Sequence, residues 1–196
     1  MPRSQKKNQE IRDNTRNRII KESSLYFARN GFGDTKISDL AKFIGIAQGS
    51  IYVYFKSKEE LYDEIRREAN TEEDIKKLKT LTSLPLPYKK KASMLIDSIL
   101  DALKNDEGFP VRITLSTQLI LENGTSVYDT KLYKQTTKII KQGIKEGTAP
   151  DIDPNAAADM FWGMIYVYSL RSLFTDDYPL SERRELMRLL IRDNEI

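Results

Sequence analysis

The chain has 196 residues, 39% of them hydrophobic, and a formal net charge of +3, proportions that suit a protein burying an ordinary core. It contains neither cysteine nor histidine, which excludes disulfides, cysteine nucleophiles, Cys/His zinc centres and a histidine serving as general base or pH sensor. Charge is unevenly divided: residues 1–58 carry twelve Lys/Arg against five Asp/Glu, while residues 59–196 carry twenty against twenty-four, so a basic segment suited to a polyanion precedes a mildly acidic remainder.

No N-terminal apolar run has the form of a signal peptide, and no stretch reaches the roughly 18 apolar residues of a spanning helix, so a cytoplasmic chain without membrane contact is expected. Residues 1–10, MPRSQKKNQE, are polar, basic and aperiodic, the pattern of a mobile arm able to lie along phosphates. From Ile11 the pattern turns helical, with Ile19, Ile20, Ser23, Ser24 and Phe27 on one face and Asn30-Gly31 as its stop. Thr35 is placed to cap a short second helix whose stripe is Ile37, Leu40, Ala41 and Ile44, and Gly45 supplies the turn into a third helix over 48–54. Ser57 and Glu60 have the spacing of a capping box opening a fourth helix, which the pattern carries past Asn70 to about Leu81.

Pro85 and Pro87 end that segment and mark a linker at 83–87. Beyond it, helices are predicted over 88–104, 110–122, 126–146, 154–174 and 181–192, with Asp153-Pro154 a strong helix start. No strand pattern competes. The fold class is therefore all-α, with about nine helices.

Two short helices joined by a tight glycine turn are what a helix-turn-helix requires: the second enters the major groove and the first braces it. Leu40, Ala41, Ile44 and Ile51 close a small core there, which leaves Gln48, Ser50 and Tyr52 on the opposite side of the third helix, free to read bases. Phe55 is read as a core aromatic.

The run from Thr35-Lys36-Ile37-Ser38-Asp39-Leu40-Ala41, through Gly45-Ile46-Ala47-Gln48-Gly49-Ser50-Ile51-Tyr52-Val53-Tyr54-Phe55, to Lys58-Glu59-Glu60-Leu61 resembles the signature of the tetracycline-repressor (TetR) family. Arg18-Ile19-Ile20, Tyr26-Phe27-Ala28 and Asn30-Gly31-Phe32 extend the likeness upstream, over about the first third of the chain. Two positions depart from the family pattern. Ala47 removes a cap from the third helix, and Ile44 stands where a small alanine is common.

The resemblance implies a helix-turn-helix head over 1–57, including the basic arm, and an effector-binding and dimerisation body over 58–196. In the head, Gln48, Gly49, Ser50 and Tyr52 would meet base edges or nearby backbone, and Thr35, Tyr54 and Lys58 would hold phosphates; Lys58 lies in the first turn of a helix, where an anion is already favoured. In the body, Met94, Phe109, Tyr128, Trp162 and Tyr166 are candidates for lining an effector pocket, although each suits a packed core equally well. The run Met160–Tyr168 is apolar around nearly its whole circumference, which asks for burial on two sides, and Leu186, Leu189 and Leu190 of the last helix would complete a homodimer interface with it.

The implied activity is that of a repressor on a palindromic double-stranded DNA operator, released by a small-molecule effector, with no enzymatic chemistry, cofactor or metal. An activator of the same fold, or a protein that binds DNA to position a partner, fits the same residues.

Overall fold

A computed structural model describes residues 2–69, 72–124, 126–175, 179–180 and 182–192. Among these residues the chain forms ten α-helices and one 3-10 turn, with no strand, so the all-α expectation holds. The chain divides into two compact units, residues 1–70 and 71–196. The division falls 13 residues beyond the expected 57/58 boundary, because the fourth helix packs on the first and so belongs to the first unit.

The first unit consists of α1 (Pro2–Asn30), α2 (Ile37–Ile44), α3 (Gln48–Tyr52) and α4 (Lys58–Ala69). Residues 2–10, expected to be a mobile arm, are instead the first turns of α1. Lysine, glutamine and glutamate are good helix formers, and the Gln9 amide donates to Asp13 one turn on. The aperiodicity that suggested an arm reflects only that no neighbour covers this stretch: residues 5–14 are all exposed.

Burial begins at Ile19 and follows the helical spacing through Ile20, Ser23, Phe27 and Ala28. These residues meet Ile37, Leu40, Ala41, Ile44, Ile51, Phe55, Leu61 and Ile65 in one small core, as the stripe on the second helix predicts. Gly31 and Gly45, both at positive φ, end α1 and α2. Left-handed backbone at a helix end favours glycine because no Cβ meets the carbonyl.

The capping pattern differs in detail from expectation. Thr35 is buried and its hydroxyl donates back to the Gly31 carbonyl at 2.6 Å; Lys36 occupies the N-cap of α2 without a side-chain bond. Ala47 leaves α3 without a side-chain cap, as its methyl dictates. Ser57 does cap α4, accepting from the Glu60 amide at 3.1 Å, while the Glu60 carboxylate accepts from the Lys56 amide rather than from that of Ser57.

The second unit contains α5 (Glu72–Ser83), α6 (Tyr88–Asn105), α7 (Gly108–Glu122), the 3-10 turn η1 (Val127–Asp129), α8 (Lys131–Glu146), α9 (Pro154–Ser172) and α10 (Arg183–Leu190). The junction at Asn70-Thr71, where one continuous helix was expected, lies outside the described residues. The helix expected over 126–146 begins later, at Lys131, because Thr130 intercepts it: its hydroxyl accepts from the Tyr133 amide and sets the N-cap. Asp153 caps α9 by accepting from the Asn155 and Ala156 amides, with Pro154 at the first helical position, as the dipeptide predicts.

One core fills this unit, drawing on Leu78, Tyr88, Ile96, Ile139, Phe161, Trp162, Ile165, Leu186 and Leu190 among others. Its densest polar crossing is at Lys91, which is only 4% exposed. The ammonium donates to the Thr82 carbonyl at the end of α5 and to Gln142 Oε1. Gln142 in turn donates to the Leu86 carbonyl and to Glu146, and Glu146 accepts from the Tyr88 amide. A buried cation is tolerated when its donors are met in this way.

Candidate nucleic-acid interface

The helix-turn-helix stands on the buried stripe of α2 and the single buried residue of α3, Ile51. That seating turns the opposite side of α3 outward. Gln48 and Gly49 are exposed, Ser50 is half-buried, Tyr52 is 48% exposed and Val53, in the turn just after the helix, is 65% exposed. These residues form one outward face of hydrogen-bonding and apolar groups, the mixture that reads base edges and thymine methyls.

Three side chains from elsewhere fix that face. Arg18 of α1 donates to the Ile44 carbonyl at 2.6 Å, bracing the end of α2. The guanidinium of Arg16 lies over the Phe55 ring and pairs with Glu64 of α4 at 2.9 Å; that pairing holds the Glu64 carboxyl below the usual carboxylate range. Arg12 lies over the half-buried Tyr54 ring at 5.9 Å.

Lys58 and Thr35, two of the residues expected to hold phosphates, are engaged within the protein. The Lys58 ammonium donates to the carbonyls of Phe32, Gly33 and Thr35 at 2.9, 3.4 and 3.0 Å and sits 4.3 Å from the centre of the Phe32 ring. Phe32 stacks on Tyr62 of α4. An ammonium has three donors, and here all three fasten the loop between α1 and α2 to the start of α4. Tyr54 and the base-facing residues Gln48, Gly49, Ser50 and Tyr52 lie in one continuous stretch. The pattern of the sequence assigns no site role to Arg12, Arg16, Arg18 or Val53, although Arg18 and Val53 stand within the stretches that carry the family resemblance. The signal for the arginines was the spacing Arg12, Arg16, a single helical turn on the face leading into Ile19 and Ile20.

In the second unit the effector candidates do not converge. Phe109 and Trp162 are buried members of the core, and Trp162 donates to the Thr136 hydroxyl. Met94 and Tyr128 are exposed, with the Tyr128 hydroxyl donating to Asp159 at 2.6 Å; Tyr166 is half-buried. Two residues that the sequence did not suggest stand out instead. The hydroxyls of Thr114 on α7 and Ser169 on α9 are fully buried without a hydrogen-bond partner, and α7 and α9 pack together.

On α9, Ala157, Ala158, Phe161, Trp162, Ile165 and Ser169 face the core, while Met160, Val167 and, just past the helix, Phe174 are 57%, 42% and 61% exposed. The two-sided apolar pattern of this helix thus divides into an inner face and an outward stripe. On α10, two of the three leucines expected at a dimer interface, Leu186 and Leu190, are 1% exposed and belong to their own core, whereas Leu189 is half-buried, and the charged residues Arg183, Arg184, Glu185 and Arg188 are exposed.

Among the described residues no helix is long and apolar enough to cross a membrane, and no group of three or more acidic residues is arranged to hold a metal. Residues 19–65 match the family model described as bacterial regulatory proteins, tetR family, a span that begins at the first buried residue of α1 and ends at the last buried residue of α4. The first unit therefore carries a segment of the tetR type. The chain is similar to the fatty acid metabolism regulator protein of Bacillus subtilis, 27% identical over 165 residues, which span 75% of this chain and 77% of that one.

Solved tetR-like folds agree over nearly the whole length. The transcriptional regulator FadR from Bacillus subtilis, in complex with stearoyl-CoA, superposes with a TM-score of 0.56 at 21% identity, over 91% of this chain and 98% of that one. NalD of Pseudomonas aeruginosa, the secondary repressor of the MexAB-OprM multidrug efflux pump, gives 0.59 at 16% identity, over 94% and 99%. These similarities show the fold, and the protein is a transcription regulator with a tetR-type segment over residues 19–65.

Proposed function

We propose that this regulator is a cytoplasmic, homodimeric repressor of the tetR type that reads a palindromic operator with α3 and is released by an apolar small molecule taken into the body. The observation that carries the DNA-reading part is the outward face of α3 and the turn after it, Gln48, Gly49, Ser50, Tyr52 and Val53, held by a core that leaves those side chains no internal task. Gln48 can bond adenine bidentately, a contact that discriminates by about 1–3 kcal/mol. Two such heads about 34–36 Å apart address successive major grooves, which is how two-fold symmetric operators are read.

The outward stripe of α9 supports the dimer. Met160 and Val167 are seven residues apart on it, and Gly163 lies between them with nothing among the described residues, its own helix backbone aside, within 4 Å of where a Cβ would stand. A mid-helix glycine costs about 1 kcal/mol relative to alanine. Here the protomer's own fold gives no reason for it, whereas the close approach of a second helix does. The unpartnered hydroxyls of Thr114 and Ser169 support the interior between α7 and α9 as the effector site, since buried polar atoms are rarely left unmet. Fatty acyl thioesters are the first effectors to test, given the regulators to which the chain is similar.

The deciding experiment is a salt titration of binding to DNA flanking the gene, with random DNA as competitor, followed by addition of acyl-CoA. Selectivity beyond ~10³-fold, abolished by acyl-CoA, is the expected result. Equal affinity for all DNA would overturn the DNA-reading assignment. Selective binding unaffected by any acyl-CoA would overturn only the effector class. Deleting the gene is expected to raise transcription from the neighbouring promoter; a fall would show an activator.

A further inference from the structure

The second unit carries a groove that none of the activities above uses. It has a volume of about 810 Å³ and lies between the start of α6, with Pro87, Lys89, Lys90 and Ser93, and the start of α10, with Glu182, Arg183, Arg184 and Met187. That volume is within the range of about 300–1,000 Å³ typical of small-molecule sites. The groove is strongly one-signed: four cations line it against one carboxylate. That carboxylate, Glu182, is turned into α10, where it accepts from the amide at the third helical position in a capping box.

Of the four cations Arg183 alone is held in an ion pair among the described residues, and the carboxylate that pairs with it, Asp97, is held below its usual range by Arg183 and, more weakly, by the charge of Lys90. Arg183 forms a bidentate pair with Asp97 of α6, at 2.5 and 3.2 Å, and donates to Ser93; it forms a wall joining the two helices. Lys89, Lys90 and Arg184 are exposed and make no ion pair within 4 Å among the described residues. Their placement is locally unfavourable, because both pairs of cations lie in the first turn of a helix, where the dipole is positive and carboxylates are preferred. Lysine and arginine gathered at two helix starts around one cavity leave a positive potential that a multivalent anion would relieve. Met187 and Pro87 add an apolar surface beside the charge.

We propose that this groove binds a small molecule carrying a multiply charged phosphate group, its oxygens held by Lys89, Lys90 and Arg184 and any attached organic body resting on Met187 and Pro87. Arginine and lysine are the side chains suited to phosphate oxygens, arginine through two parallel donors. The ligand would bridge α6 and α10, as the Arg183–Asp97 pair already does.

The test is calorimetric titration of the full-length protein, at fixed ionic strength, with inorganic pyrophosphate and separately with ADP. Saturable binding of one molecule per protomer is expected. It should weaken at least tenfold in the double variant Lys90→Glu, Arg184→Glu and less in Lys90→Gln, Arg184→Gln, both with unchanged melting temperature because these side chains are exposed. Tighter binding of ADP than of pyrophosphate would place an organic body on Met187; equal binding would show that the phosphate alone is recognised. Absence of saturable binding, or binding that the double variant retains, overturns the proposal. The double variant is expected to bind operator DNA as the unaltered protein does; loss of DNA binding together with pyrophosphate binding would reveal a general polyanion surface and would also overturn it.

Discussion

Two side chains, one in each unit, tie together parts of the chain far apart in sequence. Lys58 lies in the first turn of α4, a position that by charge alone suits a phosphate, yet its ammonium is bonded to the Phe32, Gly33 and Thr35 carbonyls. A phosphate-binding lysine and a loop-fastening lysine differ in one measurable respect. Each phosphate contact contributes about −0.9 to the slope of log affinity against log salt, whereas a misplaced α2 weakens binding without altering the number of contacts. Lys58→Ala is therefore expected to lower operator affinity with an unchanged salt slope; a slope shallower by about 0.9 would restore the phosphate role. In the second unit, Tyr88 is fully buried and its hydroxyl donates to the Leu190 carbonyl at 2.5 Å. A Cβ at Gly143 would stand 2.5–2.6 Å from three Tyr88 ring carbons, and that ring is fully buried and anchored through its hydroxyl. Gly143→Ala is expected to destabilise by about 1–3 kcal/mol, the usual range for an overfilled core. Urea denaturation measures this, and an unchanged midpoint would show that the ring moves.

Element boundaries repeat the point that a local pattern is legible where a core enforces it. The stripe Ile37, Leu40, Ala41, Ile44 and the start at Asp153-Pro154 were readable because burial and capping act on the residues that carry them. Residues 2–10 were not, since an exposed helix has no apolar period to reveal it. Nor were the bonds of Lys58 and Arg18, which reach 26 residues along the chain to the Phe32 and Ile44 carbonyls, contacts that only the assembled helices create. The inward turn of Leu186 and Leu190 escaped for a related reason: the sequence marks α10 as two-faced without saying what lies on each side. At the start of α7, Asp106 accepts from the Gly108 amide at 2.9 Å and from Arg112 at 2.6 Å, and the Arg112 guanidinium holds its carboxyl below the usual range. A carboxyl depressed in the folded state contributes fully above its unfolded value, about pH 4, and its contribution is lost as the pH falls through the lower folded value. The melting temperature of Asp106→Asn should lie below that of the unaltered protein at pH 7, and the gap should close below pH 4. A gap independent of pH would assign the effect to the lost cap geometry rather than to charge.

For the whole molecule, the question is what covers α9. Its inner face is consumed by Phe161, Trp162 and Ile165, and α10, which packs beside it, buries Leu186 and Leu190 and exposes its charges. The proposed dimer uses the stripe through Met160 and Val167, since a closed two-fold assembly lets each stripe cover the other. Bulk and charge test this differently. Gly163→Leu adds volume where the protomer itself has open space, so it should leave the monomer's fold intact while blocking close approach of a partner helix. Met160→Glu introduces a charge that a dimer would have to bury. Both are expected to give monomers in sedimentation equilibrium at concentrations where the unaltered protein is dimeric, with helical circular dichroism retained. Operator binding should then fall steeply, because one head alone reads only a half-site. If both variants stayed dimeric and bound the operator normally, the interface would have to lie elsewhere on the second unit, and the absence of a side chain at Gly163 would need another cause.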